Sequence, residues 1–269
     1  MVNQLNQLLI VTCDKHQLQF LIQCESLGKY LDPVQINIII NEIDPRAWID
    51  WFYKHCADML AKHSVEVLTW NDFDENFSFE NVVLRKPGWI TQQIFKLLFA
   101  LRTSNNYVVF DTKNWLIQSA KLQDFCKRPR NPIGSQIPMC FEKFYLDTLA
   151  KICPGKYLAF RPEITPYIID PMIVRKMFDS FGGVHEFQSW FASYEAPSEF
   201  IVYDIFAQHH GLDNAAGQYS NNTVYYFDEL DIDLISKNIQ DPNLQMLSVH
   251  PKLLDHTLLL QLQTQLNTR

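Results

Sequence analysis

Residues 1–115 alternate short apolar runs with longer segments of helical periodicity. The apolar runs are rich in β-branched residues, as are strands buried on both faces, and they cover 8–12, 35–40, 65–70 and 107–110. The segments between them repeat apolar residues at the spacing of one helix face and cover 16–31, 44–63 and 90–103. Asp44 and Pro45 resemble an N-cap and a first helical position. This alternation predicts an α/β fold with a mostly parallel, doubly wound sheet.

The pattern in residues 116–269 is less regular. Helical periodicity covers 141–152, 185–194, 198–209 and the tail from 251. A short strand within 164–171 leads into a helix that ends at 181, and strand-like runs occur at 223–227 and 246–249. Neither an internal repeat nor a Pro/Ser-rich linker separates the two halves. We therefore expect a single domain over residues 1–269.

Size and charge limit the classes of function. A chain of 269 residues with 47% hydrophobic residues is able to bury a sizeable core. Its net charge of −7 argues against broad nucleic-acid binding. A basic run consists of Lys121, Lys127, Arg128 and Arg130, and we interpret it as a solvated loop. We therefore expect no nucleic-acid partner.

The sequence also bears on compartment. No stretch reaches the ~18 apolar residues of a spanning helix, and the first residues lack the pattern of a signal peptide. The six cysteines include no C-x-x-C pair, which argues against a zinc ribbon. We expect a cytoplasmic protein with mostly reduced thiols and no transmembrane segment, either free or peripheral at the inner face of a membrane.

Several common nucleotide and hydrolase motifs are missing from the chain. Cys13 and Asp14 follow the first strand, where a dinucleotide-binding Rossmann domain carries G-x-G-x-x-G. Neither a P-loop nor a G-x-S-x-G motif occurs. His16, His209 and His210 lack the spacing of metal ligands. These classes are therefore disfavoured.

Polar residues cluster where the predicted strands end. Asp14 follows the first strand, and Asp111, Lys113 and Asn114 follow the fourth. The helix over 90–103 carries polar side chains outside its apolar stripe, at Gln92, Gln93 and Lys96. Ligands of open α/β sheets bind outside the carboxyl ends of the strands. Two interpretations stay open: a ligand site, or a helix packed on a strand that ends in a solvated turn.

Two motifs carry a resemblance to a known family. A helix of pattern P-G-W-x-x-Q-Q-x-x-K-L is formed by Pro87, Gly88, Trp89, Gln92, Gln93, Lys96 and Leu97, and it precedes a strand ending D-x-K-N at Asp111, Lys113 and Asn114. Further matches are 12–14, Ser26, 165–167, 198–200 and Tyr203. In these motifs the chain resembles a little-characterised group of bacterial glycosyltransferases. The D-x-K also stands where sugar-nucleotide-dependent glycosyltransferases of the GT-A type carry D-x-D.

The resemblance implies a GT-A-like fold and transfer of a sugar from a nucleotide-sugar donor to a glycan or lipid-linked hydroxyl acceptor, in bacterial surface polysaccharide or glycolipid synthesis. Residues 1–115 would be the nucleotide-binding half, and 116–269 the acceptor half with a C-terminal helix. Donor contacts are implied for Asp14, Gln92, Gln93, Lys96, Asp111, Lys113 and Asn114, and acceptor-side contacts for Thr165, Tyr167 and Tyr203.

The implied catalytic carboxylates are Asp111 and Glu199. Glu199 would accept the proton of the acceptor hydroxyl in an inverting transfer. The alternative is that Glu199 is only an acidic residue in the first turn of a helix, which the helix dipole favours.

The departure from D-x-D leaves two questions open. In the common pattern the last Asp binds a divalent metal, whereas here that position is Lys113. Either Asp111 and His250 hold Mg²⁺ or Mn²⁺, or Lys96 and Lys113 neutralise the phosphates without a metal. The missing Asp also keeps a non-enzymatic alternative open, a module that retains the fold and binds a nucleotide or a glycan.

Overall fold

Strands and helices alternate along the chain. The computed structural model describes residues 5–73, 75, 88–125, 128–129, 139–155, 158, 165–212, 219–220, 222–226, 232–250 and 263–264. Its strands are β1 (Gln7–Thr12), β2 (Gln35–Ile40), β3 (Ser64–Leu68), β4 (Tyr107–Phe110), β5 (Asn114–Leu116), β6 (Arg128–Pro129), β7 (Tyr167–Ile169), β8 (Tyr219–Ser220), β9 (Thr223–Tyr226) and β10 (Met246–Val249). Its helices are α1 (Gln17–Tyr30), α2 (Arg46–His55), α3 (Trp89–Leu98), α4 (Met139–Ile152), α5 (Pro171–Ser180), α6 (Val184–Ala192), α7 (Glu199–His209) and α8 (Ile232–Gln240).

A five-stranded sheet forms the centre of the fold, in the order β3-β2-β1-β4-β7. The pairs β1–β2, β2–β3 and β1–β4 are parallel, and β4–β7 is antiparallel. The predicted mixed α/β class with a mainly parallel central sheet is therefore confirmed. β7, on the outer side of β4, departs from the parallel pattern that the first 115 residues indicate.

Both faces of this sheet are covered by helices. Successive residues of a strand point to opposite faces, so β1 contributes to two cores. On one face its side chains pack with α1 and α2, in a core that includes Leu8, Ile10, Phe20 and Trp48. On the other face they pack with α3 and α7, in a core that includes Leu9, Val11, Ile94 and Val202. Burial on both faces explains why β1 is a continuous apolar run in the sequence.

The strand order reverses beside β1. The chain passes from β1 to β2 and β3 on one side and then returns to β4 on the other side. Ile10 of β1 pairs with Phe110 of β4, so both strands run to the same edge of the sheet. A crevice forms at such a reversal, outside the carboxyl ends of the strands. The residues that follow β1 and β4 therefore meet at the position where open α/β sheets bind ligands.

A second, three-stranded sheet holds the segment that follows β4. β5 pairs antiparallel with β10, and β10 pairs in parallel with β9. Trp115 and Leu247 from this sheet pack with Ile22 of α1 in a separate apolar core. The turn between β4 and β5 is thereby held between the central sheet and residues from the end of the described chain.

Several predicted element boundaries need correction. α2 begins at Arg46 with Pro45 as its N-cap, one residue later than predicted from Asp44 as N-cap and Pro45 as first helical residue. Asp44 still accepts hydrogen bonds from the backbone and side-chain N–H groups of Arg46. The helices predicted to reach 63 and 103 end earlier and continue as short 3₁₀ turns, at Ala57–Leu60 and Phe99–Leu101. β5 has no counterpart among the predicted strands. Pro87, Lys127, Arg130 and most of the predicted tail helix lie outside the described residues.

Two observations bear on the predictions about membrane spans and reduced thiols. None of the helices in the described part of the chain is long and apolar enough to cross a membrane. None of the described cysteines, at 13, 24, 56, 140 and 153, is in a disulfide, and Cys126 lies outside the described residues. The cytoplasmic location stays a prediction.

Candidate functional site

A buried lysine lies at the centre of the candidate site. Lys96, on the third turn of α3, is only 2% exposed. Its Nζ lies 2.8 Å from Oδ1 of Asp111 and 2.9 Å from Oε1 of Glu199. Its ammonium group also lies 5.1 Å from the centre of the Phe200 ring. A buried ammonium needs such partners, because desolvation of an unpaired charge costs several kcal/mol.

Asp111, the first residue after β4, joins this lysine to the edge of the crevice. Its Oδ2 lies 3.2 Å from Nζ of Lys113 and accepts a hydrogen bond of 3.0 Å from the hydroxyl of Thr165. The side chains of Asp111 and Lys113 are each 18% exposed. The two residues of the D-x-K motif therefore form the part of the cluster nearest to solvent.

Glu199 closes the cluster from the other side. It is the first residue of α7, and Ser198 caps this helix by accepting a hydrogen bond from the backbone of Ile201. Its carboxylate also faces the side chain of Gln93, whose amide nitrogen lies 2.7 Å from Oε1 in the orientation that satisfies the amide. Glu199 is 1% exposed and Gln93 is 7% exposed. Both side chains are therefore directed into the cluster.

Burial and charge shift the protonation equilibria of these groups. Burial tends to raise the pKa of Asp111, but the ammonium groups of Lys96 and Lys113 outweigh it and hold the pKa below its usual range. Burial tends to lower the pKa of Lys96, yet Asp111 and Glu199 raise it above the ordinary value. Burial raises the pKa of Glu199 despite the opposing charge of Lys96. Glu199 is therefore a stronger base than a carboxylate in water.

The turn that carries the D-x-K motif is fixed by amide side chains. Oδ1 of Asn114 accepts a hydrogen bond of 2.7 Å from the backbone N–H of Asp111, and its Nδ2 donates to the carbonyl of Thr165 at 3.3 Å. Gln23 of α1 donates to the carbonyls of Asp111 and Asn114, at 2.7 and 3.0 Å. Asn114 is fully buried. Its predicted donor contact stays a prediction, while its observed role is to hold this turn.

The end of β1 supplies the opposite side of the crevice. Asp14 is exposed, and its backbone N–H donates to the carboxylate of Glu42 at 2.7 Å. Sγ of Cys13 lies 3.4 Å from Nδ1 of His16. Burial raises the pKa of Cys13 to about 11, so this thiol is protonated at neutral pH. The predicted donor contact of Asp14 is compatible with this exposed position.

The start of α3 is bound to the ends of the first two strands. Nε2 of Gln92 donates to the carbonyl of Val11 at 3.1 Å, and Nδ2 of Asn41 donates to the carbonyl of Gly88 at 2.6 Å. Gly88 has a φ of 107°, a conformation that favours glycine. This explains the glycine of the P-G-W motif. It also places the beginning of α3 at the carboxyl edge of the sheet.

The residues predicted on the acceptor side lie deeper than expected. Tyr167 is 3% exposed and stacks on Phe200 with the ring centres 4.1 Å apart. The hydroxyl of Tyr203 accepts a hydrogen bond of 3.0 Å from the backbone of Asp170. Thr165 is fully buried and contacts Asp111. Acceptor contacts by these side chains stay predictions.

His250 lies close in the chain to a residue that pairs with the D-x-K motif. The N–H of Val249 donates to the carbonyl of Lys113 at 3.1 Å, and the N–H of His250 donates to the carbonyl of Tyr226. Among the described residues, no group of three or more His, Cys, Asp or Glu side chains has the arrangement of a metal site. A metal held by Asp111 and His250 stays a prediction.

The structure also assigns roles that the sequence analysis missed. Gln23 lies in α1, far along the chain from the turn it supports, and the motif match at Ser26 gave no indication of it. Ser26 accepts a hydrogen bond of 3.1 Å from the N–H of Leu116. Polar residues spaced by one helical turn among the apolar positions of α1 are a sequence signal that could have identified Gln23 and Ser26.

Comparison with solved structures finds glycosyltransferases. The galactosyltransferase LgtC, in complex with donor and acceptor sugar analogs, has 10% identity and a TM-score of 0.48, and the match covers 97% of this chain and 95% of that one. The bifunctional glycosyltransferase WbbM has 13% identity and a TM-score of 0.46, over 91% of this chain and 45% of that one. GlyE of Streptococcus pneumoniae TIGR4 has 11% identity and a TM-score of 0.40, over 81% and 45%.

This chain thus spans less than half the length of WbbM and GlyE. Neither a protein-family model nor a curated protein sequence matches the chain.

Proposed function

We propose that this protein transfers a sugar from a nucleotide-sugar donor to a hydroxyl acceptor, in the synthesis of a bacterial surface polysaccharide or glycolipid. The observation that carries the proposal is the position of Asp111 and Lys113, at the carboxyl edge of the sheet where the strand order reverses between β1 and β4. The resemblance of the P-G-W and D-x-K motifs to bacterial glycosyltransferases supports it. The GT-A-like assignment belongs to the same proposal.

In this proposal Lys113 contacts the donor diphosphate. Its side chain is 18% exposed, whereas that of Lys96 is 3% exposed and already lies between two carboxylates. A protonated lysine neutralises phosphate charge directly, as a metal ion would. Lys96 then acts on the donor through Asp111, which it holds at the edge of the crevice. Asp14 would contact the nucleoside from the end of β1.

The proposed transfer exchanges one bond for another at the anomeric carbon. The acceptor oxygen forms a bond to this carbon while the bond to the diphosphate oxygen breaks, and the diphosphate leaves with the bonding electrons. The proton of the acceptor hydroxyl passes to Glu199. Because Glu199 is 1% exposed, the step requires its carboxylate to become accessible when the acceptor binds. Its raised pKa suits a group that accepts a proton.

A thermal-shift screen against UDP-, GDP-, CMP- and dTDP-sugars tests donor binding. A donor at 100 times its dissociation constant stabilises the folded state by about 2.7 kcal/mol. Repeating the screen with a chelator distinguishes the two predictions about metal. Stabilisation that survives chelation supports neutralisation by lysine, whereas stabilisation that returns only with Mg²⁺ or Mn²⁺ assigns this role to an ion. If no sugar nucleotide stabilises the protein, the proposal is wrong.

The base is tested with Glu199→Gln. The variant keeps the shape of the side chain but is unable to accept the proton, so turnover should fall by about 10²–10⁴ while donor affinity changes little. Full activity would remove Glu199 from the mechanism. The anomeric configuration of the product is read in the same assay, since only an inverting transfer calls for this base.

One observation favours a second candidate, a module that binds a nucleotide or a glycan without turnover. The carboxylate of Glu199 is already paired with Lys96 at 2.9 Å and faces Gln93, so its charge is satisfied within the fold. Slow hydrolysis of the donor in the absence of acceptor separates the two candidates. A transferase leaks in this way, whereas a binding module releases its ligand intact.

A further inference from the structure

An exposed tryptophan lies at the edge of the candidate site. Trp89, the first residue of α3, is 40% exposed. The preceding Gly88 is held by Asn41, which follows β2, and Gln92 is held by the carbonyl of Val11 in β1. Trp89 therefore lies at the same edge of the sheet as Asp111 and Lys113.

The indole ring is anchored to the buried cluster. With the Gln93 amide in the orientation that satisfies its hydrogen bonds, the Nε1–H of Trp89 donates to the side-chain oxygen of Gln93 at 3.0 Å, and the amide nitrogen of Gln93 faces the carboxylate of Glu199. Gln93 lies one helical turn after Trp89, so both side chains project from the same face of α3. One chain of contacts thus links an exposed aromatic ring to the carboxylate proposed as the base.

The surroundings of the ring combine apolar and polar surface. Phe141 of α4 lies beside it, with the ring centres 6.4 Å apart and the planes at 31°. Its indole N–H is already engaged, so what the exposed part of Trp89 offers to a ligand is mainly apolar ring surface. Ligand sites typically combine such aromatic surface with a few oriented polar groups. A sugar ring has the matching chemistry, with apolar C–H groups on one face and hydroxyls around its rim.

We propose that Trp89 is the platform on which the acceptor sugar stacks, with one acceptor hydroxyl directed along Gln93 towards Glu199. This inference rests on the proposed function for the identity of the acceptor. Aromatic side chains are effective anchors because they supply a large contact area at low cost in conformational entropy. A ring that Gln93 already orients loses still less freedom when the sugar binds.

The test uses fluorine NMR of the full chain labelled with 5-fluorotryptophan. The Trp89 resonance is identified as the signal that disappears in Trp89→Phe. The probes are methyl α- and β-glycosides of glucose, galactose, mannose and N-acetylglucosamine. We expect at least one glycoside to shift the Trp89 resonance saturably. The affinity for that glycoside, measured by calorimetry in the wild type and the variants, should fall by about tenfold in Trp89→Ala, as for truncation of an anchoring aromatic residue, and by less in Trp89→Phe.

Tyr53→Ala is the matched control, because Tyr53 is 63% exposed on α2 and its ring lies beside that of Phe52 rather than beside any residue of the cluster. Its affinity for the glycoside should equal that of the wild type. The inference is overturned if no glycoside moves the Trp89 resonance, or if Trp89→Ala binds the glycoside as tightly as the wild type.

Donor hydrolysis, measured on the same preparations, separates this inference from the proposed function. If the wild type hydrolyses a donor but no glycoside shifts the Trp89 resonance, the proposed transferase function is retained and the role of Trp89 as a platform is rejected. A glycoside that binds at Trp89 in a protein that neither binds nor hydrolyses any donor supports the sugar subsite and rejects the transferase.

Discussion

The effect of Lys96 on the stability of the fold depends on the charges that surround its buried ammonium group. It pairs with the carboxylates of Asp111 and Glu199, and Asp111 also pairs with Lys113, so the four side chains have no net charge when all are ionised. Removing Lys96 alone leaves Asp111 and Glu199 facing each other in a poorly solvated site. Loss of one partner from a buried ion pair typically costs about 3–5 kcal/mol.

We therefore expect Lys96→Met to lower the free energy of unfolding by about 3–5 kcal/mol, measured by urea denaturation. The double variant Lys96→Met/Glu199→Gln should recover part of this loss, because it no longer buries the unpaired carboxylate. Lys143→Met is the control, since Lys143 pairs with Asp147 at 2.6 Å with side chains 80% and 40% exposed. It should leave stability nearly unchanged. Equal losses of unfolding free energy in Lys96→Met and Lys143→Met would show that burial of the ion pair does not matter.

Lys113 is the residue on which donor affinity should depend. We expect Lys113→Ala to weaken binding of the donor found in the thermal-shift screen, because a phosphate loses its charged partner. Calorimetry measures the affinity. Lys121→Ala is the control, because Lys121 lies at the opposite edge of the sheet. The carbonyl of the preceding Ala120 accepts a hydrogen bond from the N–H of Asp32, just before β2. Unchanged affinity in Lys113→Ala would remove Lys113 from the donor site.

At the scale of elements, α5 offers a test of a helix cap. Asp170 caps this helix by accepting a hydrogen bond of 2.8 Å from the N–H of Met172, and Pro171 occupies the first turn. Asp170→Ala should cost about 1 kcal/mol of unfolding free energy. Asp179→Ala, in the last turn of the same helix, removes a negative charge from the negative end of the helix dipole and should cost nothing. A similar loss in both variants would contradict the capping role of Asp170.

Elements with a strong pattern could be predicted from the sequence, and those without one could not. β4 was predicted with its observed bounds, because four consecutive apolar residues lie between polar turns. β5 was missed, since Asn114–Leu116 is too short to show any period. β7 was located, but its antiparallel pairing with β4 depends on tertiary contacts that no local pattern contains. Gln93 and Lys96 were recognised as polar positions outside the apolar stripe of α3, but their burial in the cluster was not predicted.

At the scale of the whole molecule, the cluster makes stability depend on pH. The pKa of Asp111 is lowered in the folded state, so its contribution is present above the unfolded value of about 3.9 and is lost as the pH falls through the lower folded pKa. The pKa of Glu199 is raised, so its contribution is complete below about 4.3 and is lost as the pH rises through the folded pKa. The two carboxylates therefore act in opposite directions.

Urea denaturation across a pH series checks both signs. The stability gap between the wild type and Asp111→Asn should be largest at neutral pH and should close below about pH 4. The free energy of unfolding of the wild type should rise relative to that of Glu199→Gln as the pH falls from neutral towards about 4.3. Gaps that do not vary with pH would mean that neither carboxyl is perturbed as described.

The assembled site itself exceeds what the sequence could predict. Lys96, Asp111 and Glu199 come from three elements, and only the resemblance to a family suggested that they belong together. Lys96 was predicted to contact a phosphate of the donor, and in the structure it pairs with two carboxylates. Its burial follows from the packing of α7 against α3, and no local period of either helix encodes that contact.

The pairing of β5 with β10 has a consequence for the order of folding. Leu116 pairs with Met246, so the strand after the D-x-K turn finds its partner only when the end of the described chain arrives. Closing so long a loop is slow, whereas β1, β2 and β3 join near neighbours. We expect the crevice to be the last region to become protected in pulse-labelled hydrogen exchange, with the amide of Leu247 protected after that of Ile38. A chain released from the ribosome before β10 has been made would form its central sheet before the turn that carries Asp111 and Lys113 is held in place.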